Sequence, residues 1–384
     1  MNPTLPLPSA EALAASQTLS ELIRQEIRQQ QNWLPFSRFM DLALYAPQYG
    51  YYTGGAHKIG AAGDFITAPM LTPLFGQALA RQINALLEQT AGNVYEFGAG
   101  TGALAATLLN HLSAPALNHY YIIEVSPELA ERQRAWIQQH APQAAHKVRH
   151  LSELPEQLDG ILIGNEVLDA MPCEIIRRNV DGFEQAGVSN SDGHFSLSYR
   201  PLDNPQLEQS ARLYYPDHPL PYTSELHPAQ HAFMRTLAAK LVHGAVILID
   251  YGFDAAQYYH PQRHQGTFIG HYRHHTIHDP FYHIGLTDLT AHVNFTDIAQ
   301  AGTDGGLDLI GYATQANFLL NLGITELLAA YGDSSEPAYI KEAAALHKLL
   351  GQHEMGELFK VIAFGRHIDY DWQGFAQGDI CHKL

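Results

Sequence analysis

Cysteine is nearly absent from this chain of 384 residues: Cys173 and Cys381 stand far apart, and no C-x-x-C pair occurs. That excludes a disulfide framework and a thiolate metal site, and it predicts a reducing compartment. No run of 18 apolar residues occurs, and the first thirty residues lack a basic start followed by an apolar stretch. Neither a membrane span nor a secretory signal is read from this, so the expectation is a soluble, cytoplasmic protein without membrane insertion.

Positive charge is also scarce. Against 39 Asp and Glu there are 22 Lys and Arg, a net charge of −17, with no Lys/Arg run to offset it. Such a field repels nucleic-acid phosphates and favours a basic protein segment as partner. The 23 histidines make the charge sensitive to pH. Signatures of other chemistries are missing. There is no P-loop and no G-x-S-x-G, and His353-Glu354-Met355-Gly356-Glu357 lacks the second histidine of H-E-x-x-H.

What is present is a globular chain, 46% hydrophobic, long enough for two or three units at about 150 residues each. The spacing of Leu19, Leu22, Ile23 and Ile27 predicts a helix over 18–31, with Thr18 or Ser20 as N-cap. The aromatic and glycine-rich stretch 36–67 reads as irregular, and a second helix is expected over 72–89. From Asn93 the grammar becomes strand, glycine turn, helix, strand. Strands are predicted at 94–97, 120–125, 160–165 and 245–251, with helices at 103–112 and 128–140. Polar alternation with turn signals at Val180-Asp181-Gly182 and Ser191-Asp192-Gly193 predicts antiparallel hairpins inserted over 173–221. A helix over 339–350 and a closing strand over 358–364 follow. The expected division is 1–92 (helical cap and active-site loop), 93–172 (first part of the core), 173–221 (insertion) and 222–384 (second part of the core).

The sharpest local signal is Glu96-Phe97-Gly98-Ala99-Gly100-Thr101-Gly102, a strand that ends in three alternate glycines and enters a helix. Glycines let a ligand approach the backbone, and the helix start offers unpaired N–H groups, so a nucleotide-like ligand is implied. Glu124, at the end of the next strand, is placed to accept from two ribose hydroxyls. Gly98, Gly100 and Ala103 satisfy the G-x-G-x-x-G/A dinucleotide fingerprint, so a nicotinamide or flavin enzyme stays open. Glu96 two residues before the first glycine, with Gly102 as a third, is instead the pattern of S-adenosyl-L-methionine (SAM), which has a sulfonium and no phosphate.

A second constellation, Asn165-Glu166-Val167-Leu168-Asp169, follows a predicted parallel strand, where open α/β sheets place their ligands. These acids suit a basic acceptor and do not by themselves distinguish a lysine or a small amine from a guanidinium. A guanidinium keeps its proton in water and must be oriented by carboxylates before a nitrogen can attack, and Glu166, Asp169 or Asp64 could supply that clamp. His271, His274, His275 and His278 would share a helix face, yet Asp279-Pro280 follows and the surroundings read as loop, so no metal is assigned.

The series GDFITAP (63–69), EFGAGTG (96–102), IEVSPEL (123–129), NEVLDAMP (165–172), LIDYG (248–252), DLTAHVNF (288–295) and MGELFKVIAF (355–364) resembles the MidA-like family of class I SAM-dependent methyltransferases. The likeness runs from about residue 36 to 364. It implies a Rossmann-like, seven-stranded α/β methyltransferase core with an N-terminal helical and irregular cap and an inserted β-rich segment. It also implies SAM as methyl donor and, from the mitochondrial branch, an arginine of a partner protein as acceptor. By position, Glu96, Gly98, Gly100 and Gly102 would bind the cofactor, the glycines holding its methionine part, and Glu124 would take the ribose. Asn165 and Glu166 would lie near the transferred methyl, and Gly63, Asp64, Phe65 and Thr67 would cover the donor. Met70 departs from the acidic residue of many relatives and is left out. The competing readings are a small-molecule or other amine methyltransferase, a nicotinamide-dependent oxidoreductase, and a non-catalytic assembly factor.

Overall fold

The computed structural model describes residues 5–54, 67–369 and 372–384. The chain divides into two compact units. One is Ile66–Val167 with Ala232–Phe253 and Phe295–Leu384; the other is Met1–Phe65 with Leu168–His231 and Asp254–Asn294.

The first unit is built on seven strands: β1 (Asn93–Phe97), β2 (His119–Ile123), β3 (Val148–Leu151), β4 (Leu158–Asn165), β5 (Leu241–Phe253), β6 (Asp308–Thr314) and β7 (Phe359–Arg366). They lie in the order β6-β7-β5-β4-β1-β2-β3. The strands β1 to β5 are parallel to one another, while β7 runs antiparallel to both β5 and β6. This is the expected Rossmann-like core. Strand order reverses between β1 and β4, so the chain leaves those two strands in opposite directions and opens a crevice at their carboxyl ends. The near-continuous apolar runs of β4 and β5 are buried, as strands covered on both faces require.

Helices cover the sheet where the apolar period predicts them. Thr72 caps Pro73–Leu87 by accepting from the Leu74 N–H at 3.1 Å, with proline at the first helical position. Phe75, Leu79 and Ile83 of this helix join the same core as Leu104, Ile122, Ile161, Ile163, Ile247 and Val361. Each such burial stabilises the fold by roughly 1.5–3 kcal/mol. Ser126 caps Pro127–His140 through the Leu129 N–H.

In the second unit, two sequence expectations need correction. The first helix spans Ala10–Gln29 and starts eight residues early, capped by Ser9. The alanine-rich 10–16 segment has high helix propensity, and the Thr18 and Ser20 hydroxyls bond back to Ala14 and Ser16 carbonyls instead of capping. The stretch read as irregular contains a helix, Phe36–Tyr45, which buries Phe36, Phe39, Met40, Ala43 and Leu44 along one face. It stops before Ala46-Pro47, where proline disfavours the helical region for the preceding residue.

The predicted hairpins form from Glu174–Asn179, Gly182–Ser191 and His194–Pro201, with Asn179 opposite Gly182 and Ser191 opposite His194. The segment also holds a helix, Pro205–Tyr214, capped by Asn204, which the turn-rich composition concealed. The histidine-rich stretch is a hairpin, Ile269–Tyr272 against His275–Ile277, whose turn residues Arg273 and His274 have positive φ. Among the described residues no group of three or more His, Cys, Asp or Glu is arranged to hold a metal. No described helix is long and apolar enough to cross a membrane.

Candidate cofactor and active site

At the end of β1 the chain turns through Gly98, Gly100 and Gly102, with φ of 62°, 53° and 84°. All three lie in the left-handed region that side-chain-bearing residues avoid. A Cβ built on Gly98 would stand 3.1 Å from Val167 Cγ2. Gly102 is the N-cap of Ala103–His111 and offers no side-chain cap, so the first-turn N–H groups have no side-chain partner at this end.

Glu124 follows β2. Its backbone N–H donates to the Leu151 carbonyl at 2.9 Å. Its Oε1 accepts from the Ser126 N–H at 2.8 Å and its Oε2 from Gln133 Nε2 at 2.9 Å. Each carboxylate oxygen has two lone pairs, so the group retains capacity for two hydroxyl donors. Burial raises its pKa, against the lowering effect of the Ser126 and Gln133 hydrogen bonds.

Glu96 is shut inside the sheet, 2% exposed, and accepts from the Tyr120 hydroxyl at 2.8 Å. Burial pushes its pKa up to about 7 despite that bond. It therefore braces the strand below the glycine turn.

Asn165 ends β4 and Glu166 follows with φ of 53°, a left-handed backbone in a residue that bears a side chain. That conformation is held by the Glu166 N–H donating to the Ile249 carbonyl at 2.8 Å and by Val167 N–H donating to Asp250 Oδ2 at 3.1 Å. Asn165 Nδ2 donates to Glu166 Oε1 at 3.0 Å. Its Oδ1 is buried with no hydrogen-bond partner among the described residues.

Six of the sequence-selected residues thus gather at the carboxyl edge of the adjacent strands β2, β1 and β4: Gly98, Gly100, Gly102, Glu124, Asn165 and Glu166. Thr67 precedes the short helix Ala68–Leu71 and is partly buried. Asp169 belongs to the second unit, is 5% exposed, and its carbonyl accepts from the Ala291 N–H. Gly63, Asp64 and Phe65 lie outside the described residues. Asp250, Gln133 and His150 were not singled out by sequence. The signal for Gln133 was available: it is an amide on the same helical face as Leu129, Ala130 and Ile137.

The residues present fit an adenosyl sulfonium. The turn bears no Lys or Arg, the flanking side chains are carboxylates and an amide, and the orphaned Asn165 oxygen is an acceptor awaiting a donor.

Comparison with known proteins agrees. Residues 76–313 match a family model described as "Putative S-adenosyl-L-methionine-dependent methyltransferase". A protein of Burkholderia thailandensis crystallised with S-adenosyl-homocysteine is 47% identical and superposes with a TM-score of 0.95, over 99% of this chain and 100% of that one. The protein arginine methyltransferase NDUFAF7, mitochondrial, of Danio rerio is 26% identical over 84% of this chain and 81% of its own length. The Homo sapiens protein of the same name is 24% identical over 86% and 80%. These mitochondrial relatives overturn the expectation of a cytoplasmic protein. Scarce cysteine and the lack of an apolar span suit any reducing aqueous compartment, so composition could not separate them.

Proposed function

The chain belongs to the MidA-like S-adenosyl-L-methionine-dependent methyltransferases, and from that premise we propose that it methylates the guanidinium of an arginine on a partner protein. The observation that carries the reading is Glu166, a carboxylate on a left-handed backbone at the carboxyl end of a central parallel strand. The relatives named as arginine methyltransferases support the acceptor class. A net charge of −17 favours approach of a basic segment.

When bound, SAM supplies a methyl group on a positively charged sulfur, ready for attack by a nitrogen. In this reading Gly98, Gly100 and Gly102 admit the methionine part against bare backbone, with Glu96 bracing the strand beneath them. Glu124 accepts from the ribose hydroxyls. Thr67 covers the donor. The Glu166 carboxylate pairs with the guanidinium by charge-assisted hydrogen bonds and orients one nitrogen in line, while Asn165 fixes the carboxylate. Asp169 and Asp64 are the further candidates for this clamp. As the N–C bond forms and the S–C bond breaks, one N–H proton leaves the guanidinium. The acceptor remains a cation, and the carboxylate can take that proton and pass it to water.

The test is to incubate the protein with methyl-labelled SAM and a cell extract, then digest and locate the label by mass spectrometry. Label on arginine within a polypeptide is expected. Label confined to low-mass products would make it a small-molecule methyltransferase, and binding of S-adenosyl-homocysteine without turnover would make it an assembly factor.

A further inference from the structure

Gln133 sits on the buried face of Pro127–His140 and is 0% exposed. Its Nε2 donates to Glu124 Oε2 at 2.9 Å and to the Gly100 carbonyl at 3.1 Å. Its Oε1 lies 3.1 Å from His150 Nε2. The partners fix the orientation of the amide. A carboxylate and a carbonyl only accept, so the nitrogen faces them and the oxygen faces His150, which then carries its proton on Nε2. Both amide hydrogens and the carbonyl are thus used, and no flipped arrangement satisfies the same neighbours.

We infer that Gln133 is a positioning residue for the cofactor: it locks the Glu124 carboxylate in the orientation that meets the ribose and ties it to the glycine turn at Gly100. The inference rests on the reading of Glu124 as the ribose acceptor. Without the amide, Glu124 would keep the backbone N–H groups of Ser126 and Val125 but lose the one side chain that holds its Oε2. The Gly100 carbonyl would lose its tie to the same side chain. One buried side chain therefore sets the spacing between the adenosine end and the methionine end of the site. His150, half-buried on the edge strand β3, holds the amide in turn. Burial, with the nearby Arg134 cation, lowers its pKa to about 4, so the imidazole stays neutral through the physiological range. His150 lines a cavity of about 370 Å³ together with Arg134, Arg149 and Ile137.

A residue that only filled the space between helix and sheet would affect every ligand alike. The experiment is calorimetric titration of the full chain with S-adenosyl-homocysteine and with its 2′,3′-dideoxy analogue. Gln133→Met keeps the volume and removes the hydrogen bonds. We expect it to weaken S-adenosyl-homocysteine about tenfold and the dideoxy analogue several-fold less, since both ligands meet the glycine turn but only the first uses the oriented carboxylate. Equal weakening of both ligands, or of neither, would overturn the inference. His150→Phe, which leaves Gln133 in place, should show the same selectivity to a smaller extent and serves if Gln133→Met does not fold. Glu124→Gln separates the two levels of the claim. If it leaves S-adenosyl-homocysteine binding unchanged, the ribose reading itself fails and the inference with it. If it weakens binding while Gln133→Met does not, only the inference fails.

Discussion

Tyr120 donates its hydroxyl to Glu96 across 2.8 Å, from one parallel strand to its neighbour, and both side chains are shut away from solvent. Burial pushes the Glu96 carboxyl up from its ordinary 4.5 to about 7. An acid whose folded pKa is raised binds its proton in the native state while the unfolded chain has already lost it. Stability therefore falls as pH rises from about 4.5 to about 7 and is level above that. The loss from this one group between pH 5 and pH 8 is about 2–3 kcal/mol. Glu96→Gln keeps an acceptor for Tyr120 and has nothing to titrate. In urea titrations the variant should gain on the wild type by that amount between pH 5 and pH 8; an unchanged difference would mean that Glu96 does not titrate in that window.

Gly100→Val should leave a folded protein that no longer binds S-adenosyl-homocysteine. The glycine has φ of 53°, a region that costs a side-chain-bearing residue roughly 1–2 kcal/mol. The new side chain would also occupy the turn against which the methionine part is read to lie. Calorimetry gives the affinity and a thermal melt the cost in stability. Wild-type affinity in a folded variant would remove this turn from the cofactor site.

The strands and the glycine turn were legible because their signals are local. Four to eight apolar residues between turn formers mark β4 and β5, and three alternate glycines mark the turn after β1. Phe36–Tyr45 was missed although Phe36, Phe39, Met40, Ala43 and Leu44 follow a helical period, because tyrosines and glycines directly after it dominate the composition of the stretch. The left-handed backbone of Glu166 could not be read at all. It is imposed by bonds to Ile249 and, through Val167, to Asp250, more than eighty positions away in sequence. The Gln133 relay was half legible: an amide on an apolar helical face signals a buried partner, but Glu124, Gly100 and His150 meet it only once the sheet has formed.

Glu225 should prove a keystone of the second unit. It is 1% exposed, and its carboxylate accepts from the Thr267 and Phe268 N–H groups at 3.0 Å, from the Thr267 hydroxyl at 3.1 Å and from Tyr258 at 2.9 Å. Glu225→Ala strands these buried donors, at a cost of about 3–5 kcal/mol. Urea unfolding measures it. A loss below about 1 kcal/mol would mean that the loop finds other partners, since a typical neutral hydrogen bond alone is worth that much.

Glu166→Gln should separate binding from chemistry. The substitution keeps the shape of the side chain, its carbonyl oxygen can still accept from Asn165 Nδ2, and the Glu166 backbone bond to Ile249 is untouched. Affinity for S-adenosyl-homocysteine is therefore expected to stay within about twofold, the scatter of a change that breaks no cofactor contact. What is lost is charge. An amide cannot pair with a guanidinium cation or take the proton released as the nitrogen is methylated, so the rate at saturating cofactor should fall by about 10²–10³, the usual penalty for removing one electrostatic partner from a reacting group. Single-turnover transfer of labelled methyl, with calorimetry on the same preparation, reads both quantities. Full turnover in this variant would move the clamp to another carboxylate. A parallel loss of cofactor affinity would instead make Glu166 part of the donor site, because a residue that acts only on the acceptor has no reason to weaken the donor.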